Sequence, residues 1–146
     1  MKVNLARAAK RDLARIVKFY TGNPDPNVLP RSVKDYALAI SMGTVFYLSD
    51  DTGVVAATAA FPLVGKTDNL LYFEYGGTFI APLYRGFGLQ YIFVAARICN
   101  SVLFSMNCVP DRIYSFIKPT NIKSISTLTK MGFRLTASAP DAYLEP

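Results

Sequence analysis

The chain is 146 residues long, about half of them apolar, with a net charge of +6 and no histidine. That length suits one domain with its own core, spanning residues 1–146; no stretch approaches the roughly 18–20 unbroken apolar residues of a membrane span, and MKVNLARAAKRDLARI is broken by charge too early for a signal peptide. The basic balance favours anionic partners, but the cations are scattered, so a phosphate-bearing ligand explains it at least as well as nucleic acid.

Val3–Ala6 reads as a short first strand. Leu13, Ile16, Val17 and Tyr20 then fall on one helical face, with Asp12 at its start. TGNPDPNVLP is a surface loop. Val33, Tyr36, Ala37 and Ile40 mark a second helix, opened by a Ser32–Asp35 capping box. The period then changes. TVFYLS, the turn SDDTG and VVAATAAFPLV make a hairpin, and LLYFEYGGTFIAP is a long third strand of the run. Leu89, Ile92, Phe93, Ala96, Cys99 and Leu103 predict a third helix. DRIYSFIKP reads as a strand, Thr120 as the cap of a fourth helix, Gly132 as its end, and FRLTAS as a final strand. A helix between two strands near the C-terminus demands parallel pairing there. The expected fold is α/β (α+β), a mixed, mostly antiparallel sheet flanked by four helices.

The absence of histidine leaves proton transfer to a carboxylate, tyrosine, cysteine, lysine, the α-amino group or water. With no Cys-x-x-Cys either, no metal site is expected. Cys99 and Cys108 read as two buried thiols of a reducing cytoplasm, with a single disulfide between them as the alternative.

The segment Phe79-Ile80-Ala81-Pro82-Leu83-Tyr84-Arg85-Gly86-Phe87-Gly88-Leu89-Gln90 runs from a strand through a two-glycine turn into an apolar helix. Amides at such a helix start form an anion cradle, glycines let a phosphate come close, and Arg85 adds a charge. A plain strand-to-helix turn is the competing reading. A dinucleotide fingerprint needs a third glycine where Tyr91 stands, and a P-loop needs Gly-Lys-Ser/Thr. Glu74 is the one carboxylate inside an apolar strand, where it is costly unless paired or solvated. That suits a general base, although a solvent-facing residue or an ion pair would also account for it.

Arg85-Gly86-Phe87-Gly88-Leu89-Gln90 resembles the Arg/Gln-x-x-Gly-x-Gly/Ala motif of the GNAT superfamily of acyl-CoA N-acyltransferases. It matches at Arg85 and Gly88, with Gln90 in place of the last small residue. Asn121-Ile122-Lys123-Ser124 and Lys130-Met131-Gly132-Phe133 resemble that family's second block. The resemblance implies transfer of an acetyl group from acetyl-CoA to an amine acceptor by direct attack. It implies that the amides of Arg85, Gly86, Phe87, Gly88, Leu89 and Gln90 hold the CoA pyrophosphate, and that the backbone of Phe79, Ile80 and Ala81 pairs with the pantetheine arm. Asn121, Ser124 and Lys130 would contact the cofactor, and Glu74 would be the base. The family's usual acid, a tyrosine four residues before the Gly-Phe exit, is Leu128 here. A CoA-binding module without catalysis and an acetyltransferase acting on aminoacyl-tRNA therefore stay open, as do the acceptor's identity and a homodimer.

Overall fold

The computed structural model describes residues 2–64, 69–100 and 110–136. Five strands form one sheet in the order β1-β2-β3-β4-β5. β1 (Asn4–Arg7), β2 (Val45–Asp50), β3 (Gly53–Val64) and β4 (Leu71–Ile80) run antiparallel, and β5 (Arg112–Tyr114) lies parallel to β4. Helices α1 (Leu13–Gly22) and α2 (Val33–Ser41) connect β1 to β2, α3 (Leu89–Cys99) connects β4 to β5, and α4 (Ile122–Lys130) follows.

The central strands are buried on both faces and alternate between two cores. Val45 and Tyr47 of β2 pack with Ile16 and Phe19 of α1 and Tyr36, Ala39 and Ile40 of α2. Phe46 and Leu48 point the other way, to Leu89 and Phe93 of α3. This explains why β2 reads as a continuous apolar run rather than an alternating one. In β3 the middle is built from Ala56, Ala57, Ala59 and Ala60, all essentially inaccessible, which lets helices close on both faces.

α2 begins as expected: the Ser32 hydroxyl accepts from the Asp35 amide, and Asp35 accepts from the Ser32 amide. Thr44 ties the end of α2 to β3, its hydroxyl lying 3.0 Å from the Ala39 carbonyl and 2.6 Å from that of Ala60.

Four local expectations change. The cap of α4 is Asn121 rather than Thr120, its side-chain oxygen accepting from the Ser124 amide at 3.3 Å. The strand over DRIYSFIKP is confined to Arg112–Tyr114, where its ladder with β4 ends opposite Glu74. Phe133–Thr136 form no strand, with Leu135 exposed, and Ala137 and Ser138 lie outside the described residues. Cys99 is exposed, since the buried face of α3 runs through Leu89, Phe93, Val94 and Arg97 instead. Cys108 and Leu103 lie outside the described residues. Among the described residues no helix is long and apolar enough to cross a membrane.

Phe93, fully enclosed between α3 and the sheet, anchors this second core. Phe93→Ala should destabilise the fold by about 3–5 kcal/mol, read as a lowered urea midpoint with unchanged slope.

Candidate functional site

The site is shaped by a bulge in β4. Ala59 pairs with Gly76 and Ala57 with Phe79, so Thr58 alone faces both Gly77 and Thr78. Gly77 adopts φ +60, a conformation in which a side chain is strained. The Thr58 and Thr78 hydroxyls meet at 2.7 Å, and the Tyr20 hydroxyl of α1 donates to the Gly77 carbonyl. Burial pushes that phenol well above its ordinary pKa, so it remains a donor. On the other side, β4 pairs with β5 only as far as Glu74 opposite Tyr114. Ser115 Oγ then donates to the Tyr75 carbonyl at 2.6 Å.

Glu74 sits just before the bulge and is 3% exposed. Its partner is Arg31, in the segment leading into α2, with Arg31 Nη2 2.5 Å from Glu74 Oε2. The Arg31 guanidinium also lies 4.6 Å from the ring centre of Phe61, the residue opposite Glu74 on β3. Oε1 lies against Gly76: a Cβ there would stand 3.1 Å from it, so glycine is what leaves the carboxylate room. The ion-pair alternative for Glu74 is thus realised, with a loop arginine. Arg31 also lines a cavity of about 410 Å³ beneath residues 21–31, walled by Tyr20, Tyr36, Val28 and Asp25.

The glycine turn lies at the end of β4. Gly86 has φ +90 and Gly88 φ +72, and a Cβ at Gly86 would meet nothing within 4 Å. Gly88 is the N-cap of α3 and offers no side-chain cap, so no side chain of the cap covers the first amides of the helix. A glycine-opened helix start thus follows β4, as the sequence suggests. The Arg85 side chain, however, folds back: Nε donates to the Ile80 carbonyl at 2.8 Å, Nη2 lies 3.6 Å from Asp25, and the guanidinium sits 5.5 Å from the Phe79 ring centre. Of the strand-end residues, Ala81 gives its amide to the Val55 carbonyl at 2.9 Å, and Phe79 is buried against Phe19.

The start of α4 comes beside the start of α3, where Gln90 Nε2 lies 3.5 Å from Ser124 Oγ. Asn121, Ser124, Gln90 and the glycine turn are therefore brought together. Phe87 projects from the turn, largely exposed, while Leu89 turns inward. Lys130 is not brought in. It is exposed at the opposite end of α4, about 13 Å along the helix from Asn121. Leu128 is buried, and Tyr84, the tyrosine nearest the turn, has its hydroxyl committed to Asp50.

Arg31, Tyr20, Asp25 and Arg97 escaped the sequence reading. Arg97 carried a signal: it continues the buried row Leu89, Phe93, Arg97 at four-residue spacing. The loop residues carried none, since their role depends on where a turn-rich segment lands.

No family model and no curated protein matches the sequence. Solved structures do match. The ribosomal-protein-alanine N-acetyltransferase of Brucella melitensis aligns with 100% of this chain and 99% of its own, at TM-score 0.67 and 9% identity. Naa50 of Arabidopsis thaliana, solved with the bisubstrate analogue CoA-Ac-MVNAL, aligns over 93% of this chain and 85% of its own, at TM-score 0.68 and 20% identity. AAC(6')-Iy, solved with the analogue CoA-S-monomethyl-acetylneamine, aligns over 95% of both chains at TM-score 0.65 and 18% identity. The likeness is one of fold, and the fold is that of the GNAT-type N-acetyltransferases.

The Arg31–Glu74 pair is mostly buried on both sides. Arg31→Ala, which strands the carboxylate, should cost about 3–5 kcal/mol in denaturant unfolding. Removing both charges together as Arg31→Ala with Glu74→Gln should cost less than Arg31→Ala alone.

Proposed function

We propose that this chain, built on the GNAT fold, transfers an acetyl group from acetyl-CoA to an amine acceptor by direct attack. The observation that carries the reading is the glycine-opened start of α3, with no side-chain cap, set at the end of β4 just past the point where β4 and β5 separate. Oriented amides at a helix start favour a phosphate-bearing ligand, and the parted strand edge beside them offers backbone groups to an extended arm.

Acetyl-CoA supplies an activated acyl thioester, and the chain supplies position. Amides from Arg85 to Gln90 hold the pyrophosphate. The Phe79–Ala81 backbone aligns the arm, and for that the Ile80 carbonyl must exchange its bond from Arg85. Asn121 and Ser124 stand beside the cradle. The acceptor enters from the cavity under residues 21–31, where Asp25 offers a carboxylate to an ammonium and Arg31 separates the cavity from Glu74. Glu74 takes the proton that the amine must lose. One observation favours a second reading, a CoA-binding module without catalysis: Leu128 fills the position of the family's usual acid and is buried.

Gly88→Asp places a carboxylate in the cradle at a residue with φ +72. CoA binding by calorimetry should be lost while circular dichroism shows the fold retained; wild-type affinity in a folded variant would remove the turn from the site. Glu74→Gln should lower kcat roughly 10²–10⁴-fold across a panel of amines with CoA affinity unchanged. An unchanged kcat with a raised amine KM would instead make Glu74 an anchor for the ammonium.

A further inference from the structure

The cavity beneath residues 21–31 has a chemistry of its own. It is lined by α1, α2 and the segment between them, and its volume of about 410 Å³ is near the small end of the roughly 300–1,000 Å³ range of small-molecule pockets. Pro24, Pro26 and Pro30 contribute walls without an amide proton. Other donors of the segment are turned back on the protein. The Asn27 amide donates to Asp25 Oδ1 at 2.8 Å, the Val28 amide to the Asp25 carbonyl at 3.0 Å, and Asn23 Nδ2 to the Phe19 carbonyl at 2.7 Å. From the helices come the stacked rings of Tyr20 and Tyr36, their centres 4.9 Å apart and their planes 21° from parallel. The Tyr20 hydroxyl is committed to the Gly77 carbonyl and the Thr21 hydroxyl to that of Val17. Val17, Val28 and Leu29 extend the apolar lining.

Among the described residues, Asp25 and Arg31 are the charged groups that line it, and they are not equivalent. Arg31 is paired with Glu74, so neither leaves a net charge for a ligand to answer. Asp25 is held loosely. Arg85 Nη2 stands 3.6 Å from its Oδ2, beyond the roughly 2.7–2.9 Å of a charge-assisted hydrogen bond, and the Arg85 side chain is half exposed. Asp25 Oδ2 therefore has capacity to accept from a ligand. Arg85 also fixes where that carboxylate lies. Its Nε donates to the Ile80 carbonyl, which sets Asp25 one guanidinium away from the end of β4.

We infer that the acceptor is a monoamine with an apolar body, its ammonium held by Asp25 and its body packed against Tyr20, Tyr36, Val17, Val28 and Leu29. Calling this ligand the acceptor rests on the acetyl-CoA reading; the cavity and its lining do not. A polyamine or an aminoglycoside suits the cavity poorly on two counts. Each further ammonium would leave water with no carboxylate to meet it, because Glu74 is paired behind Arg31. Sugar hydroxyls would exchange water for walls that are apolar or whose donors are already engaged.

Three probes test this: phenethylamine, its uncharged counterpart 2-phenylethanol, and spermidine as a polycation. Each is titrated into the protein with and without CoA, and binding is followed by NMR shifts. Phenethylamine should bind, 2-phenylethanol should bind roughly 10–100-fold more weakly for want of the charge-assisted bond, and spermidine should not bind detectably. Asp25→Asn should lower phenethylamine affinity by roughly the same 10–100-fold and leave 2-phenylethanol unchanged. Val28→Trp, which fills the cavity, should weaken both. Spermidine binding as tightly as phenethylamine overturns the inference whether or not the variants fold, as does a folded wild type that binds no phenethylamine under either condition. Phenethylamine affinity unchanged in folded Asp25→Asn or folded Val28→Trp also overturns it. Phenethylamine that binds as described but is never acetylated from acetyl-CoA leaves the ligand class standing and overturns the acetyl-transfer reading instead.

Discussion

Opposite Thr58, β4 sets two residues, Gly77 and Thr78, against one, and the side-chain alternation of the strand changes phase there. Before the bulge Glu74 lies on the face of α1 and α2, with Arg31 and Phe61; after it Phe79 lies on that same face, against Phe19. Without the extra residue, Glu74 and Phe79 would occupy opposite faces. The bulge is also held from both sides of the sheet, by Tyr20 on the Gly77 carbonyl and by Arg97 on that of Gly76. The ladder with β5 ends opposite Glu74, just before the bulge.

Two arginines connect this strand to the turn-rich segment before α2. Arg31 belongs to that segment and reaches in to Glu74; Arg85 belongs to the glycine turn and reaches out to Asp25. The contacts differ in kind. The first is enclosed and flanked by an aromatic ring, and holds its geometry firmly. The second is half exposed and longer, of the sort that contributes little to stability and gives way readily to a competing anion.

What the sequence revealed follows from local chemistry. The capping box at Ser32, the glycine turn and the helices α1, α2 and α3 are written in neighbouring residues, and the structure has each of them, although Val33 of α2 and Ile92 and Cys99 of α3, read as core-facing, are exposed. Glu74 stood out because one charge in an apolar strand is visible without knowing its partner. The partner was not visible, because Arg31 lies 43 residues away in a loop. The over-long β5 and the absent strand at Phe133–Thr136 show the same limit: strand propensity describes a residue's fitness for a sheet and does not fix where a ladder ends. Arg97 was hidden by the habit of assigning charge to solvent, although its spacing from Leu89 and Phe93 placed it in the core.

The four alanines of β3 make the middle of the sheet thin. Helices can exchange one large apolar side chain for another by rotating or sliding slightly, so their sequences have latitude. The strand has none: each added methylene pushes α1 and α2 from one face or α3 from the other, and both layers bear on the bulge. Sequence drift in a molecule of this build is thus confined to its outer layers, and an architecture can persist in which pairwise identity is a poor guide to kinship.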